Sequence, residues 1–148
     1  MHIWVWSLHD TKYQSKNLSV THYIPSLLPN SGGIIVNPYL KEFKTEIEKK
    51  GETEVRKTFL PNLWCEDYHK KWISVFCYKE TFEEIKYDFA KHPDILFFVF
   101  DHSFEAKNVI NMPFLNIFEY YKFLYLCDKN IVRWENSLVE SIFTEKPF

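Results

Sequence analysis

Two places in the chain set a histidine beside a carboxylate. His9-Asp10 follows the apolar run 2–8, and Asp101-His102-Ser103 follows the apolar run 95–100. A carboxylate that orients an imidazole, an imidazole that takes a proton and a hydroxyl that attacks are the parts of a small hydrolase. His9, Asp10, Asp101 and His102 are its candidate residues, with Ser103 as nucleophile. If the two runs are parallel neighbours in an open sheet, their carboxyl ends bring both pairs together, and geometry rather than adjacency decides the matter. The same residue types serve as turn and capping groups wherever a strand runs into a polar loop, and that plainer role is expected to prevail. Cys65 and His69, four apart with Glu66 and Asp67 between them, make half of a metal site, but no second Cys or His pair at such spacing completes it. Neither a metal nor a cofactor is expected. Gly32-Gly33 precedes an apolar run instead of joining a strand to a helix, so it does not match a phosphate-binding loop.

The elements that must position these residues are legible as periodicities. "LSVTHYI", 18–24, alternates Leu18, Val20, His22 and Ile24 with polar or aromatic partners, as a half-buried strand does. "PSLLPNSGG" is the strongest break in the chain and reads as a loop within one domain. Ile34 to Val36 then form a short strand, Asn37 a cap and Pro38 a first helical residue. Tyr39, Leu40, Phe43 and Ile47 line one stripe of a helix that Gly51 stops. Thr81 to Glu84 has the form of a capping box, followed by Ile85 and Phe89, and His92-Pro93 closes that helix. Apolar, β-branched and aromatic runs flank it, "WISVFCY" before and "ILFFVFD" after. Residues 72–101 therefore read as a β-α-β unit whose two strands are parallel. Helical spacing returns at 114–127 and at 131–143, where Ile131, Trp134, Leu138 and Ile142 share a stripe. The expected fold is α+β: a single domain over 1–148, with a small mixed sheet of about four to six strands. Four helices, at 38–50, 82–91, 114–127 and 131–143, pack on it. Residues 64–78 fit helix, strand or one after the other.

Composition narrows the function. A chain of 148 residues, 46% hydrophobic and with only three glycines, can fold around a core and is the opposite of a disordered chain. Its 18 basic and 20 acidic residues are interspersed, so the concentrated basic footprint of a nucleic-acid binder is missing and direct nucleic-acid binding is not expected. No apolar stretch reaches the ~18 residues of a membrane span, and "MHIWVWSLHD" reads as a first strand instead of a signal peptide. Three cysteines without CxxC spacing indicate neither a disulfide framework nor a zinc ribbon, and a reducing cytoplasm fits them. Aromatics at 19% exceed what a core of this size needs, which leaves some for contact sites.

The densest aromatic and charged stretch is "LPNLWCEDYHKKW", 60–72. With a helix starting near Cys65, Tyr68 and Trp72 share a face and Trp64 covers its start, an arrangement that core packing explains. The pattern Leu60, Pro61, Trp64, Asp67, Tyr68 and Trp72 also resembles a motif of bacterial immunity proteins of contact-dependent growth inhibition systems. The resemblance covers those thirteen residues. It implies a small α+β inhibitor without catalysis that binds a cognate toxin domain, often a nuclease, in stoichiometric complex. Trp64, Asp67, Tyr68 and Trp72 would be its candidate interface, and aromatic anchors with scattered acidic groups suit such a binder. On this reading the protein is a cytoplasmic immunity protein of bacterial competition, not an enzyme. The hydrolase, a general protein-binding adaptor and a phage-encoded inhibitor are the alternatives, and the oligomeric state is open.

Overall fold

The structure, a computed structural model, describes residues 2–6, 12–15, 18–23, 39–133 and 136–148. The chain divides into two compact units, 1–36 and 37–148. In the first, strands β1 (His2–Trp6), β2 (Lys12–Ser15) and β3 (Leu18–Tyr23) form a mixed sheet in the order β1-β3-β2. β1 runs parallel to β3 and β2 antiparallel to it. The strand expected at Ile34 to Val36 lies outside the described residues.

The second unit begins with α1 (Tyr39–Lys50) and α2 (Glu52–Phe59), separated by Gly51. That glycine sits at φ 83, a left-handed conformation open to it because it has no Cβ, and its N–H closes the last turn on the Ile47 carbonyl at 2.8 Å. Helix α2 is hard to read from "ETEVRKTF", because the side chain it buries beside Val55 is the charged Arg56. A 3-10 turn (Cys65–His69) leads into β4 (Lys71–Phe76), so Tyr68 and Trp72 stand on different elements and the open segment 64–78 is a turn followed by a strand. Next come α3 (Lys79–Phe89) and β5 (Ile95–Val99), parallel to β4 with Trp72 opposite Leu96 and Ser74 opposite Phe98. The expected β-α-β unit is present. Its helix starts earlier than the Thr81 capping box predicts: the Tyr78 carbonyl already accepts from the Phe82 N–H at 2.9 Å, which leaves Thr81 inside the first turn.

The remaining elements are β6 (Val109–Asn111), α4 (Ile117–Leu126), β7 (Lys129–Val132) and α5 (Asn136–Phe143). Helix α4 begins after 114 because Asn116 caps it: its side chain accepts from the Phe118 and Glu119 N–H groups, and Glu119 accepts from the Asn116 N–H. The helix expected over 131–143 is corrected here. Ile131 and Val132 belong to β7, which pairs with β4 through Val75 opposite Ile131, and the long-range ladder overrides a helical stripe. The fold class is α+β, with a mixed three-stranded sheet and a parallel four-stranded sheet in the order β6-β5-β4-β7.

Both faces of the parallel sheet are covered, which is why its strands read as unbroken apolar runs. Trp72, Leu96, Phe98 and Phe100 point to one side, where α2 and α4 contribute Val55, Phe123 and Leu126. Val75, Cys77, Phe97 and Val99 point to the other, against Phe82 and Phe89 of α3. Trp72 is fully buried, with ring centroids 4.6 Å from Phe98 and 6.3 Å from Phe123. Polar residues stitch the layers where apolar ones cannot. The buried Asn130 accepts from Ser74 Oγ at 2.8 Å, and Asn108 Nδ2 lies 2.7 Å from the Phe89 carbonyl and 2.9 Å from that of His92.

Candidate functional site

The order β6-β5-β4-β7 contains a reversal. From β4 the chain steps outward through β5 to β6, then returns to lay β7 against the other side of β4. At such a reversal neighbouring connections leave in opposite directions and open a crevice at the carboxyl ends of the strands, where open parallel sheets hold their ligands. Three chain segments meet at this edge: Cys77 and Tyr78 after β4, Asp101 and His102 beyond β5, and Arg133 after β7.

Arg133 is the centre of the group. Its guanidinium carbon lies 4.4 Å from the Phe76 ring centroid and 5.4 Å from that of Tyr78. Nε donates to the Cys77 carbonyl at 3.3 Å, and Nη2 lies 3.1 Å from Asp101 Oδ2. Stacked on rings and bonded to backbone, the guanidinium is held in one place, a fixed cation suited to planar anionic groups. His102 is engaged elsewhere: its Nε2 is 2.9 Å from the same Cys77 carbonyl, so this nitrogen carries the proton, and its ring stacks on Phe82 at 4.6 Å. The Cys77 thiol is buried, and burial raises its pKa, opposed only in part by the charge of Arg133. Cys77 therefore lends the site its carbonyl and not a nucleophile.

Of the residues the sequence singled out, Asp101 and His102 stand at this edge, and His9 and Asp10 lie outside the described residues. Asp101 pairs with Arg133 while His102 serves the Cys77 carbonyl, so the base-and-orienter pair of the hydrolase is not assembled here. Ser103 is exposed. The stretch 60–72 forms a self-satisfied corner at the opposite, amino edge of the sheet. Tyr68 and Trp72 are core, Tyr68 Oη donates to the Leu60 carbonyl at 2.6 Å, and Trp72 Nε1 donates to the Asp67 carbonyl at 2.9 Å. Asp67 is buried and paired with Lys70, and Trp64 alone of the four is exposed, at 80%. Cys65 and His69 are both exposed, and no group of three or more potential metal ligands occurs among the described residues.

Sequence reasoning missed Arg133 and Tyr78. One signal was available: the chain has two arginines among its 18 basic residues. Where lysine is the default surface cation, each arginine marks a place that needs a planar fork, and the other one, Arg56, is likewise built into the fold.

A parallel sheet with helices on both faces, a strand-order reversal and an aromatic-backed arginine make the carboxyl edge the candidate ligand site of this unit. The family described as Elongation-Factor P (EF-P) rhamnosyltransferase EarP matches residues 2–148, and the chain belongs to that family. A solved structure reported as the structural basis for EarP-mediated arginine glycosylation of translation elongation factor EF-P shares the fold, with a TM-score of 0.59 at 19% identity. The match covers 78% of this chain and 45% of that one, so the chain spans less than half the length of that relative. No curated protein matches the chain.

These findings overturn the immunity reading. The chain belongs to a family of sugar-transferring enzymes, which corrects the expectations of a non-catalytic inhibitor, of a toxin-domain partner and of a role in bacterial competition; the hydrolase, adaptor and phage-inhibitor alternatives fall with them. The physical reason lies in the corner at 60–72: its aromatic spacing serves the protein's own core, where Tyr68 and Trp72 are buried and hydrogen-bonded to the corner's own backbone.

Proposed function

We propose that this chain supplies the donor-binding sheet of a rhamnosyltransferase that modifies an arginine of elongation factor P. Family membership supports the reaction, and the position of Arg133 at the strand-order reversal is the observation that supports a donor site. In rhamnosyl transfer the bond from the sugar C1 to the leaving group breaks, and the electron pair departs with the leaving group. C1 bonds to a guanidino nitrogen of the acceptor, whose proton passes to a base. The acceptor guanidinium ordinarily stays protonated, so the reaction depends on a good leaving group and on precise placement. A diphosphate-type leaving group gathers negative charge as the bond breaks, and a preorganised guanidinium stabilises that charge without having to reorient. Tyr78, half-exposed, offers a flat apolar surface beside it. No helix among the described residues is long and apolar enough to cross a membrane, and a translation factor as acceptor supports a cytoplasmic reaction.

The test is to incubate the protein with elongation factor P and a nucleotide-activated rhamnose and to follow the acceptor by mass spectrometry. One added rhamnosyl group on an arginine is expected. Arg133→Met should weaken donor binding in a calorimetric titration by about ten- to a hundredfold, the range for losing a charged hydrogen-bonding partner, and Arg133→Lys should not restore it. Unchanged donor affinity in Arg133→Met would overturn this placement of the site.

A further inference from the structure

Asp101 is out of the ordinary in two respects at once. It is one of two non-glycine residues with positive φ among the described residues, at 61°, a left-handed conformation that Asp tolerates better than most residues. From it the carboxylate reaches Arg133 Nη2 at 3.1 Å while its own side chain stays 54% exposed. The backbone on either side is fixed: the Phe100 N–H donates to the Val75 carbonyl at 2.9 Å, and His102 is anchored on Cys77 and Phe82. Arg133 does not depend on Asp101 alone for its position, since the Phe76 and Tyr78 rings and the Cys77 carbonyl also hold it.

Resting on the reading of Arg133 as the contact for the donor's leaving group, we propose that Asp101 is a built-in counter-ion that occupies Arg133 in the unliganded protein and yields it to the incoming diphosphate. A half-exposed carboxylate on a fixed backbone can swing into solvent without disturbing the sheet, whereas the arginine stays where it is. The exchange lowers the affinity for diphosphate and returns a counter-charge to Arg133 when the leaving group departs, which favours product release.

Inorganic pyrophosphate is the probe, titrated calorimetrically into the wild-type protein, Asp101→Asn, Asp101→Gly, Arg133→Met and the double variant Asp101→Asn/Arg133→Met. Asn preserves shape without charge, and Gly accepts the left-handed backbone, so two independent variants guard against a folding artefact. Both should bind pyrophosphate about two- to fivefold more tightly than wild type, the range for releasing a partly exposed ion pair. The gain should vanish in the Arg133→Met background. Unchanged or weaker binding in both Asp101 variants, with wild-type binding still dependent on Arg133, would overturn the counter-ion while leaving the donor site standing. A gain that persists without Arg133 would reduce Asp101 to general repulsion and also overturn it. Absence of pyrophosphate binding in every protein would overturn both the counter-ion and the donor site.

Discussion

At the scale of single residues, the two arginines show what a buried or stacked guanidinium does. Arg56 is 5% exposed, and its fork reaches carbonyls from three directions: Nη2 and Nε donate to Leu126 at 2.7 and 3.0 Å, and Nη1 to Tyr68 and Lys70 at 3.2 and 3.1 Å. Asp128 and Glu52 neutralise it, and Asp128 Oδ2 also accepts the Trp72 N–H at 2.8 Å. The guanidinium further lies over the Trp72 ring at 4.6 Å. This one side chain ties α2, the 3-10 turn, β4 and the end of α4 together at the amino edge of the sheet. Arg56→Met leaves those carbonyls without their donor and Asp128 without its cation, and should cost about 3–5 kcal/mol in urea unfolding. Arg56→Lys should recover little of it, because one ammonium cannot address partners that the planar fork spans.

At the scale of elements, α1 is joined to α4 by charge as well as by packing. Glu46 accepts from Lys122 across the interface and from Lys50 on its own helix, both at 2.9 Å, while Lys122 also lies over the Phe43 ring at 5.1 Å. The hydrogen bond from Lys122, and after it the one from Lys50, lowers the pKa of Glu46 against the opposing effect of burial. A carboxyl whose folded pKa is depressed stabilises the fold above its unfolded pKa, and that contribution is lost as pH falls through the depressed folded value. Glu46→Gln should therefore lower stability at neutral pH and flatten the fall in melting temperature on acidification below the ordinary glutamate range. An unchanged acid profile would show that the pair contributes nothing across this helix contact. The α1 stripe was readable in the sequence because Tyr39, Leu40, Phe43 and Ile47 recur at helical spacing, and so was β4-α3-β5. Helix α2 and strand β7 were not: one hides a buried arginine, and the other carries Ile131 at a spacing that local reasoning assigns to a helix.

At the scale of the whole molecule, the three cysteines report on the two faces of the parallel sheet. Cys127 belongs to the core on the α2 and α4 side and Cys77 to the core on the α3 side, whereas Cys65 is exposed. Burial raises the pKa of Cys127 well above the ordinary thiol value and raises that of Cys77, so both stay protonated near neutral pH. Alkylation of the native protein at neutral pH should modify Cys65 alone. In increasing urea Cys77 and Cys127 should become reactive over the same concentration range, because the sheet they flank is shared. Separate ranges would mean that one layer of helices detaches before the other.

The sequence by itself determined what local spacing encodes: an α+β fold, the amphipathic α1, the buried parallel pair around α3, and Asp101-His102 at a strand end. Period and composition act over a few residues, and each such stretch must bury its apolar face whatever it packs on. Tertiary structure alone decided that β7 returns to the far side of β4, and with it that Arg133 meets Asp101, Cys77 and Tyr78. Strand order is chosen by pairings between distant segments whose apolar runs look alike, so nothing within any one run marks its neighbour. The site exists only where those pairings place the strand ends.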